Sequence, residues 1–136
     1  MAGVDGSRGD AEHARVGALE VMALVVLVAV GAALRLPDID LWYWGDETQT
    51  VVISDRSPFD IPDALERDGA PPAFYVLLSG WMAIFGKSET ATHSLTVVLS
   101  LLTIVAAWWF ARRHAGPWAG GLAAAGMAVN PYLVTY

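Results

Sequence analysis

The topology of this chain depends on residues 71–85, PPAFYVLLSGWMAIF, a short apolar stretch without a charged residue. A transmembrane helix needs about 17–25 residues, so this stretch is too short to cross a bilayer as one helix. Its two prolines are typical of a helix start, because proline lacks an N–H that the first turn leaves unbonded anyway. We therefore predict a helix near residues 72–85 that lies along the membrane surface.

Longer apolar segments lie on both sides of this stretch. Residues 17–36, 91–111 and 117–136 each approach the length of one bilayer crossing. Apolar residues make up 55% of the chain and charged residues only 16%, whereas soluble domains are about one quarter charged. The sequence predicts an all-α membrane protein: a disordered tail (1–16), three transmembrane helices, and interfacial helices in a long first outer loop (about 37–90).

The positive charges predict the orientation of these helices. Arg8, Arg15 and the Arg112-Arg113 pair share one side only if residues 71–85 do not cross, and the positive-inside rule places that side in the cytoplasm. We predict a multi-pass plasma-membrane protein with a cytoplasmic N terminus and the acidic loop outside. The alternative for the first segment is a cleaved signal peptide, which Glu20 and the later apolar segments disfavour.

Composition excludes several classes of protein. The chain has no cysteine, so disulfides and thiolate chemistry are excluded. Its net charge of −6 and the absence of a basic patch argue against a nucleic-acid partner. It contains neither a glycine-rich phosphate loop nor a metal motif of the His-x-x-x-His kind. A soluble nucleotide-sugar or ATP site therefore has no support.

The adjacent acids Asp46 and Glu47 are the first candidate site. They follow the aromatic run 42–44 just beyond the first apolar segment, and ionisable residues at a membrane are functional candidates. A carboxylate there can act as a general base or bind a divalent cation through oxygen, so a metal is possible. The alternative is a pair of solvated acids that precede a short helix over residues 48–54.

Three further residues are candidates for substrate binding. Asp68 precedes the two prolines and would face the same aqueous pocket as Asp46, although it is equally suited to cap the helix. Tyr75 belongs to the aromatic cluster after the prolines. His93 opens the second long span, where a histidine is either a hydrogen-bonded packing residue or a ligand.

Cationic residues on the predicted outer side form a separate group. One of them could pair with a lipid phosphate, whereas snorkelling or solvation is the default for most. The group consists of Arg35, Arg56, Arg67 and Lys87.

The order of these features resembles the N-terminal part of the membrane glycosyltransferases of the GT-C fold. After the Asp-Glu pair come DGAPPAFYVLLSGWMAIFGKSE (68–89), ARRHAG (111–116) and NPYLVTY (130–136). The nearest branch is family 39-like, related to protein mannosyltransferases and to the aminoarabinose transferases that modify lipid A. The resemblance covers the chain from about residue 17 to its end.

This resemblance implies an inverting transfer of a sugar from a polyprenyl-phosphate donor to an acceptor hydroxyl outside the cytoplasm. The acceptor would be a glycan, a lipid or a protein. Asp46 resembles the base that activates the acceptor, and Glu47 would help to orient it. The chain departs from its relatives in three places: Ala70 replaces a His or Lys, residues 48–50 replace an Arg and a Tyr, and His93 replaces an Arg.

Relatives continue for many more spans, so this chain is expected to be the N-terminal portion of the fold and inactive alone. A non-catalytic membrane accessory or scaffold protein derived from the same fold is the alternative. A transporter fragment is disfavoured, because no apolar segment carries a charge near its centre.

Overall fold

A computed structural model describes the backbone of residues 4–39, 45–65 and 71–130, with side chains from residue 17 onward except those of Asp38 and Asp46. The described residues form six α-helices and no strand, which confirms the all-α prediction. A 3-10 turn follows the first helix. The helices are α1 (Val4–Arg35), α2 (Gly45–Ser54), α3 (Ile61–Leu65), α4 (Pro72–Phe85), α5 (Glu89–Ala115) and α6 (Pro117–Ala128).

Two of these helices are long and apolar enough to cross a membrane. They are the Gly17–Arg35 part of α1, with a mean hydropathy of 2.4, and α5, with 2.0. Both expose large apolar side chains such as Leu19 and Leu102, a surface that suits lipid rather than water. The chain is an all-α membrane protein. α6 covers 12 residues and residues 131–136 lie outside the described ranges, so the third crossing stays a prediction.

Helix α1 begins well before its apolar segment. Residues 4–16 are helical, whereas the sequence predicted a disordered tail there. Helix propagation adds one hydrogen bond for each residue fixed, while nucleation is the costly step.

The chain divides into two compact units, of which the first comprises residues 1–35 and 99–136. Its buried core contains Ile104, Ala124 and Ala128. Gly120 is buried four residues before Ala124, so small side chains repeat along one face of α6. Small residues at this spacing let helix backbones approach closely.

Arg35 holds the ends of two helices together in this unit. Its guanidinium donates hydrogen bonds to the carbonyl oxygens of Gly31 (2.7 Å), Ala128 (3.0 Å) and Met127 (3.2 Å). Only 4% of the residue is exposed, so the snorkelling or solvation that is the default for most of this group of cations does not apply to Arg35. The last carbonyls of a helix lack intrahelical donors, and a cation satisfies them well.

The second unit comprises residues 36–98. Helix α4 packs against α2 and α3 around a buried cluster of Ile53, Ile61 and Leu65. α4 begins at Pro72, as the proline pair predicted, and ends at Gly86, whose φ of +91° is a conformation that glycine adopts without strain. The predicted helix over residues 72–85 is confirmed.

The outer surface of α4 is apolar. Its large exposed side chains include Phe74, Leu77 and Ile84, the last of which is 76% exposed. A helix that is apolar on all its faces belongs in a protein core or in a membrane. Since the exposed side chains of this helix are apolar, its exposed surface is suited to lipid.

Candidate functional site

The Asp46-Glu47 pair lies in the first turn of α2. This helix begins at Gly45, three residues before the predicted start at Thr48. Acidic residues stabilise the first turn because their negative charge interacts favourably with the positive end of the helix dipole. The pair therefore belongs to the helix instead of preceding it. The side chain of Asp46 lies outside the described part of the structure.

Glu47 and His93 are brought together from separate helices. The Nε2 atom of His93 lies 3.6 Å from Oε1 of Glu47, an ion-pair distance that is long for a hydrogen bond. The other ring nitrogen, Nδ1, lies 3.0 Å from the carbonyl oxygen of Ile39. Glu47 is 40% exposed and His93 20% exposed at the side chain, so the carboxylate is the more accessible of the two groups.

The backbone carbonyl fixes how the His93 ring carries its proton. A carbonyl oxygen only accepts hydrogen bonds, so Nδ1 must be the protonated nitrogen. Nε2 then faces Glu47, with a lone pair when the ring is neutral and with an N–H when it is charged. The carboxylate and the charged form of the ring can therefore form an ion pair.

A hydrogen-bonded junction between α4 and α5 sets the position of His93. Trp81 on α4 donates through its indole N–H to the carbonyl oxygen of Ala91 (2.8 Å), and its Nε1 lies 3.2 Å from Oγ of Ser94. Lys87, between the two helices, forms a salt bridge with Asp55. These contacts fix the first turns of α5, which carry His93.

Tyr75 is not brought to this pair in the described residues. Tyr75 packs against the cluster of Ile53, Ile61 and Leu65 and meets the Phe74 ring edge-on, with 6.1 Å between centroids. These contacts are those of a packing residue. Asp68 lies outside the described ranges, so its predicted role stays a prediction.

The described residues contain no group of three His, Cys, Asp or Glu side chains arranged to hold a metal ion. That Asp46 and Glu47 bind a divalent cation through their carboxylate oxygens stays a prediction.

Comparison with known proteins identifies the family. Residues 69–136, half of the chain, match the sequence model of the dolichyl-phosphate-mannose-protein mannosyltransferase family. The chain belongs to this family. No curated protein and no solved structure matches it.

Membership in the mannosyltransferase family confirms the resemblance seen in the sequence. The family consists of membrane glycosyltransferases, and its name specifies a lipid-linked sugar donor for its members. The matched residues include His93 and the whole of α4, α5 and α6. Glu47 precedes the match, so its place beside His93 comes from the structure alone.

The sequence identified Glu47 and His93 separately but did not predict their contact. Both were expected near the outer membrane surface, and a shared depth is the one signal that could have paired them. Proximity between residues this distant in sequence depends on the packing of α2 and the start of α5, which local patterns do not encode.

Proposed function

We propose that this chain is the N-terminal part of an inverting glycosyltransferase that takes a sugar from a polyprenyl-phosphate donor. The acceptor is a hydroxyl outside the cytoplasm, and Asp46 is the base that removes its proton. Glu47 orients the acceptor. The observation that carries this proposal is the contact of Glu47 with His93 beside Asp46, in a member of the mannosyltransferase family.

The transfer reaction requires a base for the acceptor and groups that stabilise the departing phosphate. A lipid phosphate is already a good leaving group, so the donor needs no nucleotide. The acceptor hydroxyl must lose its proton as the bond to the sugar forms, which calls for a positioned carboxylate. The departing phosphate must be stabilised by cations or a metal, and later spans of the full-length protein would supply groups of this kind.

The second part of the proposal is the topology. Glu20 on α1 accepts a hydrogen bond from Nε of Arg112 on α5 at 2.6 Å, and a Cβ built on Gly31 of α1 would lie 2.6 Å from Cδ1 of Ile104 on α5. These contacts make α1 and α5 antiparallel. The chain between them therefore leaves and re-enters the pair at the same end, which supports an α4 that does not cross.

Reporter fusions test this topology directly. A fusion after Lys87 should be active only with a reporter that works outside the cytoplasm, and a fusion after Arg113 only with a cytoplasmic one. The reason is that α5 alone separates the two positions. A cytoplasmic Lys87 would refute the arrangement.

A transfer assay tests the proposed donor. Membranes that contain the protein encoded by the complete reading frame should transfer label from a polyprenyl-phosphate sugar, and fail to do so from the matching nucleotide sugar. The same assay, repeated with a chelator, measures whether transfer requires a divalent cation. Transfer from the nucleotide sugar, with none from the lipid-linked donor, would exclude the proposal.

Replacement of His93 tests the role of its contact with Glu47. His93→Ala should lower the transfer rate by on the order of 10-fold, because Glu47 loses a neighbour that restrains its position. His93→Arg, which restores the residue type of the relatives, should retain more activity. His114→Ala is the matched control, since this histidine stacks on Phe110 with 4.5 Å between ring centroids. Equal transfer rates for His93→Ala and His114→Ala would show that His93 has no role in the site.

A further inference from the structure

An apolar groove lies within the first unit, between α1, the end of α5 and α6. Its volume is about 510 Å³, within the range of about 300–1,000 Å³ that is typical of ligand sites. Nearly all of its lining is apolar, and Glu20 is its single charged residue. The lining includes Glu20, Leu24, Leu27, Trp108, Trp118 and Leu122.

One end of this groove is positively charged. Arg112 pairs with Glu20 and its guanidinium lies 5.3 Å from the centre of the Trp108 ring, so it contacts two lining residues. This pair neutralises the Glu20 carboxylate. Arg113 and His114 follow, both exposed, and the net charge at this end is positive.

The aromatic residues place this end at the membrane surface. Trp109 is 58% exposed and Trp118 is 87% exposed, and tryptophans gather where the hydrocarbon core meets the headgroups. An apolar slot that opens beside cations at headgroup depth matches a phospholipid, with one acyl chain in the slot and the phosphate at the cations.

We propose that this groove binds an anionic phospholipid. The acyl chain lies along Leu24, Leu27 and Leu122, and the phosphate pairs with Arg113. Arginine suits this role because its planar fork donates two parallel hydrogen bonds to phosphate oxygens. The groove shares no residue with the Glu47–His93 pair, and lipid binding there does not depend on the proposed transferase activity.

Native mass spectrometry of the purified 136-residue chain tests the proposal. The protein is equilibrated with equal amounts of phosphatidylglycerol and phosphatidylcholine that carry identical acyl chains, and the retained lipids are counted. Phosphatidylglycerol should be retained about 5-fold more than phosphatidylcholine, because one cation near the surface contributes about this factor. Equal retention of the two lipids would overturn the proposal.

Two variants separate the headgroup site from the acyl-chain site. Arg113→Gln should bring the preference for phosphatidylglycerol close to one, whereas Arg56→Gln, the same change at an exposed arginine of the second unit, should leave it unchanged. Arg113 is chosen because loss of Arg112 would leave Glu20 unpaired. An unchanged preference in Arg113→Gln would exclude the phosphate contact.

The groove itself is tested by filling it. Leu122→Trp should abolish retention of both lipids, because Leu122 lines the slot and is 73% exposed, so the larger ring enters the slot without disturbing the core. Leu102→Trp, on an exposed face of α5 at 59% exposure and away from the slot, should retain them. Identical behaviour of the two variants, or a lipid-free dimer that Leu122→Trp dissociates, would overturn the proposal.

Discussion

Asp46→Asn should lower sugar transfer by about 10²–10⁴-fold, the usual contribution of a general base, while the protein remains in the membrane. Asparagine keeps the size of the side chain but cannot take the acceptor proton. Asp46 lies in the first turn of α2, where loss of a charge costs about 0.3–1 kcal/mol of stability. The loss of activity should therefore far exceed any loss of folded protein.

Two companion variants make this result specific. Asp60→Asn removes a carboxylate from an exposed position of the same unit and should leave transfer within about twofold of the parent. Glu47→Gln should lower the rate by on the order of 10-fold, since it orients the acceptor without taking its proton. A larger loss in Glu47→Gln than in Asp46→Asn would transfer the role of the base to Glu47.

Gly120→Ala should destabilise the first unit by about 1–3 kcal/mol, the usual cost of overpacking. A Cβ at this position would lie 2.9 Å from Cβ of Arg112 and 3.1 Å from the carbonyl oxygen of Trp108. Neither atom is the flexible end of a side chain, so α6 has to move away from α5. This cost exceeds the gain in helix propensity, which is at most about 1 kcal/mol.

Gly121→Ala is the matched control for this change. It lies in the same helix, and a Cβ there would meet nothing within 4 Å, so it gains the propensity of alanine without a clash. Thermal unfolding in detergent should give a lower midpoint for Gly120→Ala and an equal or higher one for Gly121→Ala. Equal midpoints for both variants would mean that the α5–α6 contact adjusts without cost.

Start and stop signals at its two ends made α4 predictable from the sequence. A proline pair marks its start, a glycine marks its end, and the residues between are uniformly apolar, so each signal lies within the helix or next to it. The start of α2 was predicted three residues late, because Gly45 is a weak start signal and the acids were assigned to the preceding loop. The residue at which a helix starts is decided by capping and helix-dipole energies of about 1 kcal/mol. The pattern of apolar residues carries no information about these energies.

Contacts between distant residues were the part that the sequence did not predict. Arg35 belongs to a group of cations for most of which snorkelling or solvation was the expected default, and that rule considers one helix at a time. Its partners are carbonyls of Met127 and Ala128, which carry no side-chain signature because every residue has a carbonyl. The Glu47–His93 contact depends in the same way on how separate helices pack.

The bonds of Arg35 to α6 impose an order on biogenesis. α1 is synthesised and inserted first, yet the carbonyls of residues 127 and 128 that receive its guanidinium appear some 90 residues later. Until α6 leaves the ribosome, Arg35 lacks these acceptors, and hydration near the headgroups is the inexpensive state for its charge. The burial of Arg35 is therefore a late assembly step. Helix α1 reaches its final packed position only after the rest of the described chain has been made.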